Sequence, residues 1–143
     1  MMPVYLETSA LLAWLLGEPD GEFVRKILSK AESVVSSAIT VLEAERAILR
    51  AEREGLISAG ERQRIRGLLA NAQIEWSLLE ITQPIRSRAS QPFPVEPVRT
   101  LDAIHLATAL EFLLIYPDIS VLSLDKRIAE NIIPLGFANA LSE

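Results

Sequence analysis

The sequence predicts an α/β fold, a three-layer α/β/α sandwich around a central, mostly parallel sheet, and three observations carry that expectation. Short β-like apolar runs alternate with longer stretches of helical periodicity along all 143 residues. Half of the residues are hydrophobic, enough for a substantial core, and the length is that of a single domain spanning 1–143. Strands separated by helices favour right-handed parallel crossovers, which cover both faces of a sheet with helices.

Val4, Tyr5 and Leu6 centre a brief first strand. The hydroxyls of Thr8 and Ser9 can cap a helix running through Leu11, Leu12, Trp14, Leu15 and Leu16, which Gly17 and Pro19 end. Asp20 can cap a second helix whose stripe is Phe23, Ile27 and Leu28, leading to a second strand around Val34 and Val35. From Ile39 to Glu54 the pattern is an amphipathic helix, apolar at Val41, Leu42, Ala44, Ile48 and Leu49 and ended by Gly55. Ser58 followed by Glu61 is a capping box opening a helix through Ile65, Leu68 and Leu69. These two helices, around 39–71, are expected to form an antiparallel pair projecting from the sheet.

Ile74 to Leu79 resembles a third strand, and a short helix is expected near Ile85 to Ala89. QPFPVEP, with three prolines, reads as an irregular loop. Thr100 can cap a deeply packed helix carrying Ala103, Leu106, Ala107, Leu110 and Leu113. Val121 and Leu122 mark a fourth strand, Asp125 begins a last helix through Ile128 and Ala129, and Ile133, Leu135 and Phe137 form a short edge strand or a packed tail.

Composition narrows the classes of function. The formal charge of −5 argues against a broad basic surface that grips duplex DNA through phosphates alone. An enzyme whose phosphate-facing charge resides on a bound metal is locally acidic, so a nuclease stays open. Arg46, Arg50, Arg53, Arg62, Arg64 and Arg66 lie close in sequence, but Glu45, Glu52, Glu54 and Glu61 dilute them into a solvated face. Cysteine is absent, which rules out disulfide and thiolate chemistry and suits a reducing, cytoplasmic location. The first apolar run is broken at Gly17 and Glu18 with no basic segment before it, so neither a membrane span nor a secretory signal is expected. Neither a G-x-G-x-x-G turn nor a Walker-type segment occurs, which argues against nucleotide-binding enzymes.

In a parallel sheet the loops leaving the strand C-termini form the usual chemical surface. Glu7 follows the first strand, Glu43 lies in the helix after the second, Asp125 follows the fourth, and Asp102 falls in the first turn of a helix. Four acids distant in sequence can thus converge at one edge. Mg²⁺ and Mn²⁺ favour such hard oxygen donors, and a cation offsets the mutual repulsion that would otherwise raise their pKa values. Two of the acids also have ordinary roles, Asp125 as a helix cap and Glu43 as a partner of Arg46, whereas Asp102 in the apolar-rich RTLDAIHLATAL is harder to read as surface decoration. His105, one turn after Asp102, can orient a water or a carboxylate or be a packed, hydrogen-bonded core residue. Arg99 can hold a phosphate or flank its helix. Thr8, Ser9, Thr40 and Ser123 can steady ligands through their hydroxyls or serve as caps. Trp14 and Trp76 read as core or interface residues.

The segments YLETSALLAWLLGEP, SSAITVLEAERAI, RTLDAIHLATAL and VLSLDKRIAENIIPLGF, in that order, resemble a PIN-domain ribonuclease, specifically a VapC-like toxin of a type II toxin–antitoxin pair. The resemblance covers nearly the whole chain. It implies a PIN-like fold, with the four acidic positions of the family on Glu7, Glu43, Asp102 and Asp125 and its small hydroxyl residues on Ser9 and Ser123. It further implies Mg²⁺- or Mn²⁺-dependent endonucleolytic cleavage of RNA, a homodimer and a cognate antitoxin. Glu7 departs from the usual aspartate by one methylene, which shifts a metal-binding oxygen unless the backbone or the metal compensates. Two other readings are a non-catalytic RNA-binding or regulatory protein on the same scaffold and a phosphoacceptor domain, which lacks an obvious late-strand lysine here although Lys126 keeps it open by composition.

Overall fold

The computed structural model describes residues 2–142. Five strands form one wholly parallel sheet in the order β3-β2-β1-β4-β5, made of β1 (Pro3–Leu6), β2 (Ser33–Ser37), β3 (Ser77–Leu79), β4 (Ser120–Leu122) and β5 (Ala138–Asn139). The helices between them are α1 (Thr8–Leu15), α2 (Gly21–Lys30), α3 (Ala38–Arg53), α4 (Ala59–Gln73), α5 (Gln83–Ala89), α6 (Thr100–Leu113) and α7 (Lys126–Ile132), with a closing 3-10 turn over Ala140–Ser142.

Strand alternation splits the core into two layers. Val4 and Leu6 of β1 point to a cluster with Leu11, Leu15, Val24, Ala44, Ile48, Ile65 and Leu69, so α1 to α4 cover one face. Tyr5 points the other way, to Leu106, Ala109, Phe112, Ile128 and Ile132, so α6 and α7 cover the other. A central strand buried on both faces needs a continuous apolar run, and all four residues of β1 are buried. Close packing fixes the α1–α2 corner: a Cβ on Gly21 would overlap the Ala13 carbonyl oxygen.

The chain order runs outward from β1 through β2 to β3, then returns to β4 on the other side of β1. That reversal makes the gap between the C-terminal ends of β1 and β4 the switch point of the sheet, where neighbouring loops diverge and leave a crevice. The Glu7 amide donates to Leu122 O across this gap at 3.0 Å.

Several boundaries differ from the sequence reading. Helix α1 is capped by Glu7, whose carboxylate accepts from the Ser9 amide, and Thr8 and Ser9 already lie inside it. Thr100 is likewise the first residue of α6, not its cap, and Asp20 makes no side-chain capping bond. The third strand is confined to Ser77–Leu79, and Ile74 is exposed. Ile133 is exposed too, while Phe137 is core, and the edge strand begins after it at Ala138. Helices α3 and α4 pack through Ala44, Ile48, Ile65 and Leu69 against the Leu11 and Leu15 side of α1. The Ser58–Glu61 capping box forms in both directions. No helix of the described residues is long and apolar enough to cross a membrane.

Candidate active site

Four carboxylates collect around the switch point, each delivered by a different element. Glu7 leaves β1 as the N-cap of α1, and Asp125 leaves β4 as the N-cap of α7, accepting from the amides of Arg127 and Ile128 at 2.9 and 3.2 Å. Glu43 stands on α3 and Asp102 in the first turn of α6. Glu7 and Asp102 are only 5 % and 4 % exposed, burial that carboxylates tolerate only with strong donors.

The donors follow one rule: in every carboxylate one oxygen takes two hydrogen bonds and the other takes at most one. Glu7 Oε1 accepts from the hydroxyls of Ser9 and Ser123, the latter at 2.6 Å, while Oε2 accepts only from the Ser9 amide at 3.1 Å. Glu43 Oε1 accepts from Thr8 Oγ1 at 2.6 Å and His105 Nε2 at 2.7 Å, and Oε2 has no partner among the described residues. Asp102 Oδ2 accepts from the Arg99 amide and Nε at 2.9 and 3.0 Å, and Oδ1 from Arg99 Nη2 at 3.2 Å. Asp125 Oδ1 takes the two helix amides, and Oδ2 takes Arg99 Nη2 at 3.0 Å. Glu43, Asp102 and Asp125 are therefore oriented by the fold through one oxygen and exchangeable at the other, while Glu7 is held at both, Oε2 by the Ser9 amide.

Behind this layer lies a second one. Ser9 Oγ accepts from the Leu124 amide at 2.8 Å and Ser123 Oγ from the Asp125 amide at 3.0 Å, so the two serines tie α1 to the end of β4. The Tyr5 hydroxyl lies 2.9 Å from His105 Nδ1. An ionised Glu43 only accepts, so His105 Nε2 must donate to it, which leaves Nδ1 to accept from Tyr5. Burial pushes the Glu43 carboxyl up, but the bonds from His105 and Thr8 outweigh it and hold its pKa below the ordinary glutamate value. Burial, and then the charges of Glu7 and Glu43, push the Tyr5 phenol well above its usual range, so it stays a hydroxyl.

The structure places these residues in two hydrogen-bonded groups: Glu7, Ser9, Ser123, Asp125, Arg99 and Asp102 form one, and Glu43, Thr8 and His105 with Tyr5 form the other, joined to the first through the adjacent backbone of Glu7 and Thr8. Thr40 touches no acid: it is buried, accepts from Ser36 Oγ at 2.8 Å, and with Ser36 stands beside the Tyr5 hydroxyl. His105 satisfies both of its sequence readings, since it is packed in the core and it orients a carboxylate. Sequence reasoning missed Tyr5, and the missing signal was a general one: a phenol on a buried strand needs a partner. It also missed Asn131 and Glu96, which fix the proline-rich loop ahead of Arg99. Asn131 exchanges hydrogen bonds with both backbone groups of Val95, and the Glu96 carboxylate accepts from the amides of Phe93 and Val98.

Among the described residues no three acidic or histidine side chains stand close enough together to form a ready metal cage. The donor set nonetheless suits Mg²⁺ or Mn²⁺, being all oxygen and four-fold acidic, and a cationic nitrogen already stands in: Arg99 Nη2 bridges two of the exchangeable oxygens. The fit lies in donor chemistry and orientation, with the acids still to be drawn together around an ion.

Comparison with known proteins follows the same lines. The PIN domain family model matches residues 4–132. The chain is 36% identical over 109 residues to Ribonuclease VapC46 of Mycobacterium tuberculosis (strain ATCC 25618 / H37Rv), covering 76% of this chain and 75% of that protein. It is 33% identical over 129 residues to Ribonuclease VapC35 of the same organism, covering 89% and 87%. In overall shape it resembles a chain from the crystal structure of VapBC2 from Rickettsia felis bound to a DNA fragment from their promoter, with a TM-score of 0.64 over 96% of this chain and 98% of that one. Sequence identity there is 9%, so that likeness speaks for the fold alone.

Proposed function

The chain belongs to the PIN-domain family of VapC ribonucleases, and we propose that it is a divalent-metal-dependent endoribonuclease, the toxin of a toxin–antitoxin pair. The observation that carries this reading is the set of four carboxylates at the switch point, each held by the fold through at least one oxygen and three of them exchangeable at the other. Glu7, Glu43, Asp102 and Asp125 would hold the metal. When bound, Mg²⁺ or Mn²⁺ supplies charge that favours ionisation of a water and offsets the negative charge developing on the scissile phosphate.

The chain's own residues supply the rest. Ser9 and Ser123 fix Glu7, Thr8 and His105 fix Glu43, and the α7 amides fix Asp125, so each acid keeps its orientation while the four are drawn together around an ion. Glu7 reaches both serines with its extra methylene, which supports a full ligand role at the position where the family usually carries aspartate. RNA is the substrate in this reading. A cognate antitoxin, a homodimeric state and a cytoplasmic location belong to it too and rest on the family resemblance.

Purified protein incubated with cellular RNA and Mn²⁺ is expected to produce discrete fragments, to stop doing so in chelator, and to lose most of this activity as Asp102→Asn. Cleavage at the same level without metal would overturn the mechanism. Growth arrest on expression, relieved by co-expression of the neighbouring gene, tests the toxin role separately.

A further inference from the structure

One guanidinium occupies the place where the acids are exchangeable. Arg99 Nη2 lies 3.2 Å from Asp102 Oδ1 and 3.0 Å from Asp125 Oδ2, the two oxygens that the backbone leaves free, and Nε lies 3.0 Å from Asp102 Oδ2. A divalent cation on the same oxygens and this guanidinium would repel each other strongly at such range, so the two exclude one another. The Arg99 backbone is fixed independently of its side chain: its amide donates to Asp102 Oδ2 and its carbonyl accepts from the Ala103 amide, both at 2.9 Å. The side chain itself is 60% exposed and can swing without unpacking anything. Arg99 also lines a largely apolar cavity of 530 Å³, in which Arg86 is the second cation and Glu96 the one acid.

We propose that Arg99 is a displaceable counter-cation that pairs with Asp102 and Asp125 in the metal-free enzyme and passes to a phosphate of the bound RNA when a divalent cation takes those carboxylates. The proposal rests on the metal-dependent reading above. In the free enzyme Arg99 neutralises two acids that would otherwise repel each other. Once displaced, it is free to turn to the cavity that it lines with Arg86, where a guanidinium can make paired bonds to a phosphate. Metal and arginine compete for one pair of oxygens, so removing the arginine must strengthen metal binding.

The test titrates MnCl₂ into wild-type, Arg99→Met and Arg99→Lys protein by calorimetry, after removal of metal with chelator. Arg99→Met is expected to bind Mn²⁺ on the order of fivefold more tightly, the scale of two exposed ion pairs, with Arg99→Lys between it and wild type. Equal or weaker binding by both variants overturns the proposal while leaving the metal-dependent reading intact; no Mn²⁺ binding by any of the three proteins overturns both. In parallel, anisotropy measures affinity for a fluorescent single-stranded RNA with and without Ca²⁺, the RNA being checked for integrity afterwards. Ca²⁺ is expected to strengthen RNA binding by wild type and to do so much less for Arg99→Met. An equal gain in both proteins overturns the transfer to phosphate.

Discussion

Replacing His105 by alanine tests whether the layer behind the carboxylates is a connected unit. The ring is 2% exposed, so its loss opens a cavity, and it also takes from the buried Tyr5 hydroxyl its histidine acceptor and leaves Glu43 Oε1 with only Thr8. An orphaned buried hydroxyl costs about 1–3 kcal/mol, and with the cavity the single change should cost about 3–5 kcal/mol. Tyr5→Phe alone removes one donor and should cost about 1–2 kcal/mol, with the ring still packed on Phe112. In the double variant there is no hydroxyl left to orphan. It should therefore be more stable than the sum of the single effects by about 1–2 kcal/mol. Urea unfolding of the four proteins, with a shared m-value, measures this directly. Additivity to within about 0.3 kcal/mol would refute the Tyr5–His105 link.

The Glu43 carboxyl titrates below the ordinary value of 4.5 because its hydrogen bonds outweigh burial, so the stability it contributes is full above about that pH and is lost as pH falls through the folded value. Carbon-detected NMR titration should show its pKa rising in His105→Ala, where burial is less opposed, and an unchanged or lower value would contradict the assigned cause. Ser123→Ala removes a donor to buried Glu7 and an acceptor for the Asp125 amide and should cost about 2–3 kcal/mol in urea unfolding, with weaker Mn²⁺ binding in calorimetry. Asn131→Ala frees both backbone groups of Val95 and should lower stability by about 1–3 kcal/mol while speeding amide exchange over residues 91–98; unaltered exchange there would show that the loop is held by other means.

Much of this molecule is legible locally. Val4–Tyr5–Leu6 announces a buried strand by composition, the Ser58–Glu61 spacing announces its capping box, and the positions of Glu7 and Asp125 after strands announce a shared edge. What escaped depends on contacts between distant segments. Arg99 offered two equal readings in sequence because its decisive partner, Asp125, is 26 residues away and reaches it only through the β1–β4 reversal. The Tyr5–His105 bond joins residues 100 positions apart. Helix starts were misplaced by a residue at α1 and α6 because the acids cap or back-bond there themselves: Glu7 serves α1, and Asp102 bonds back to the Arg99 amide. The residues that prepare the site for chemistry thus also set its helix boundaries.

The most direct test of the central claim is a map of RNA 5′ ends across total cellular RNA treated with the intact protein or with Asp102→Asn, each in Mn²⁺. New ends are expected at a limited set of sites with the intact protein, and they should nearly disappear with the asparagine variant. Equal end patterns from the two proteins would contradict it, because phosphodiester cleavage would then not depend on the carboxylate centre at the switch point of the sheet.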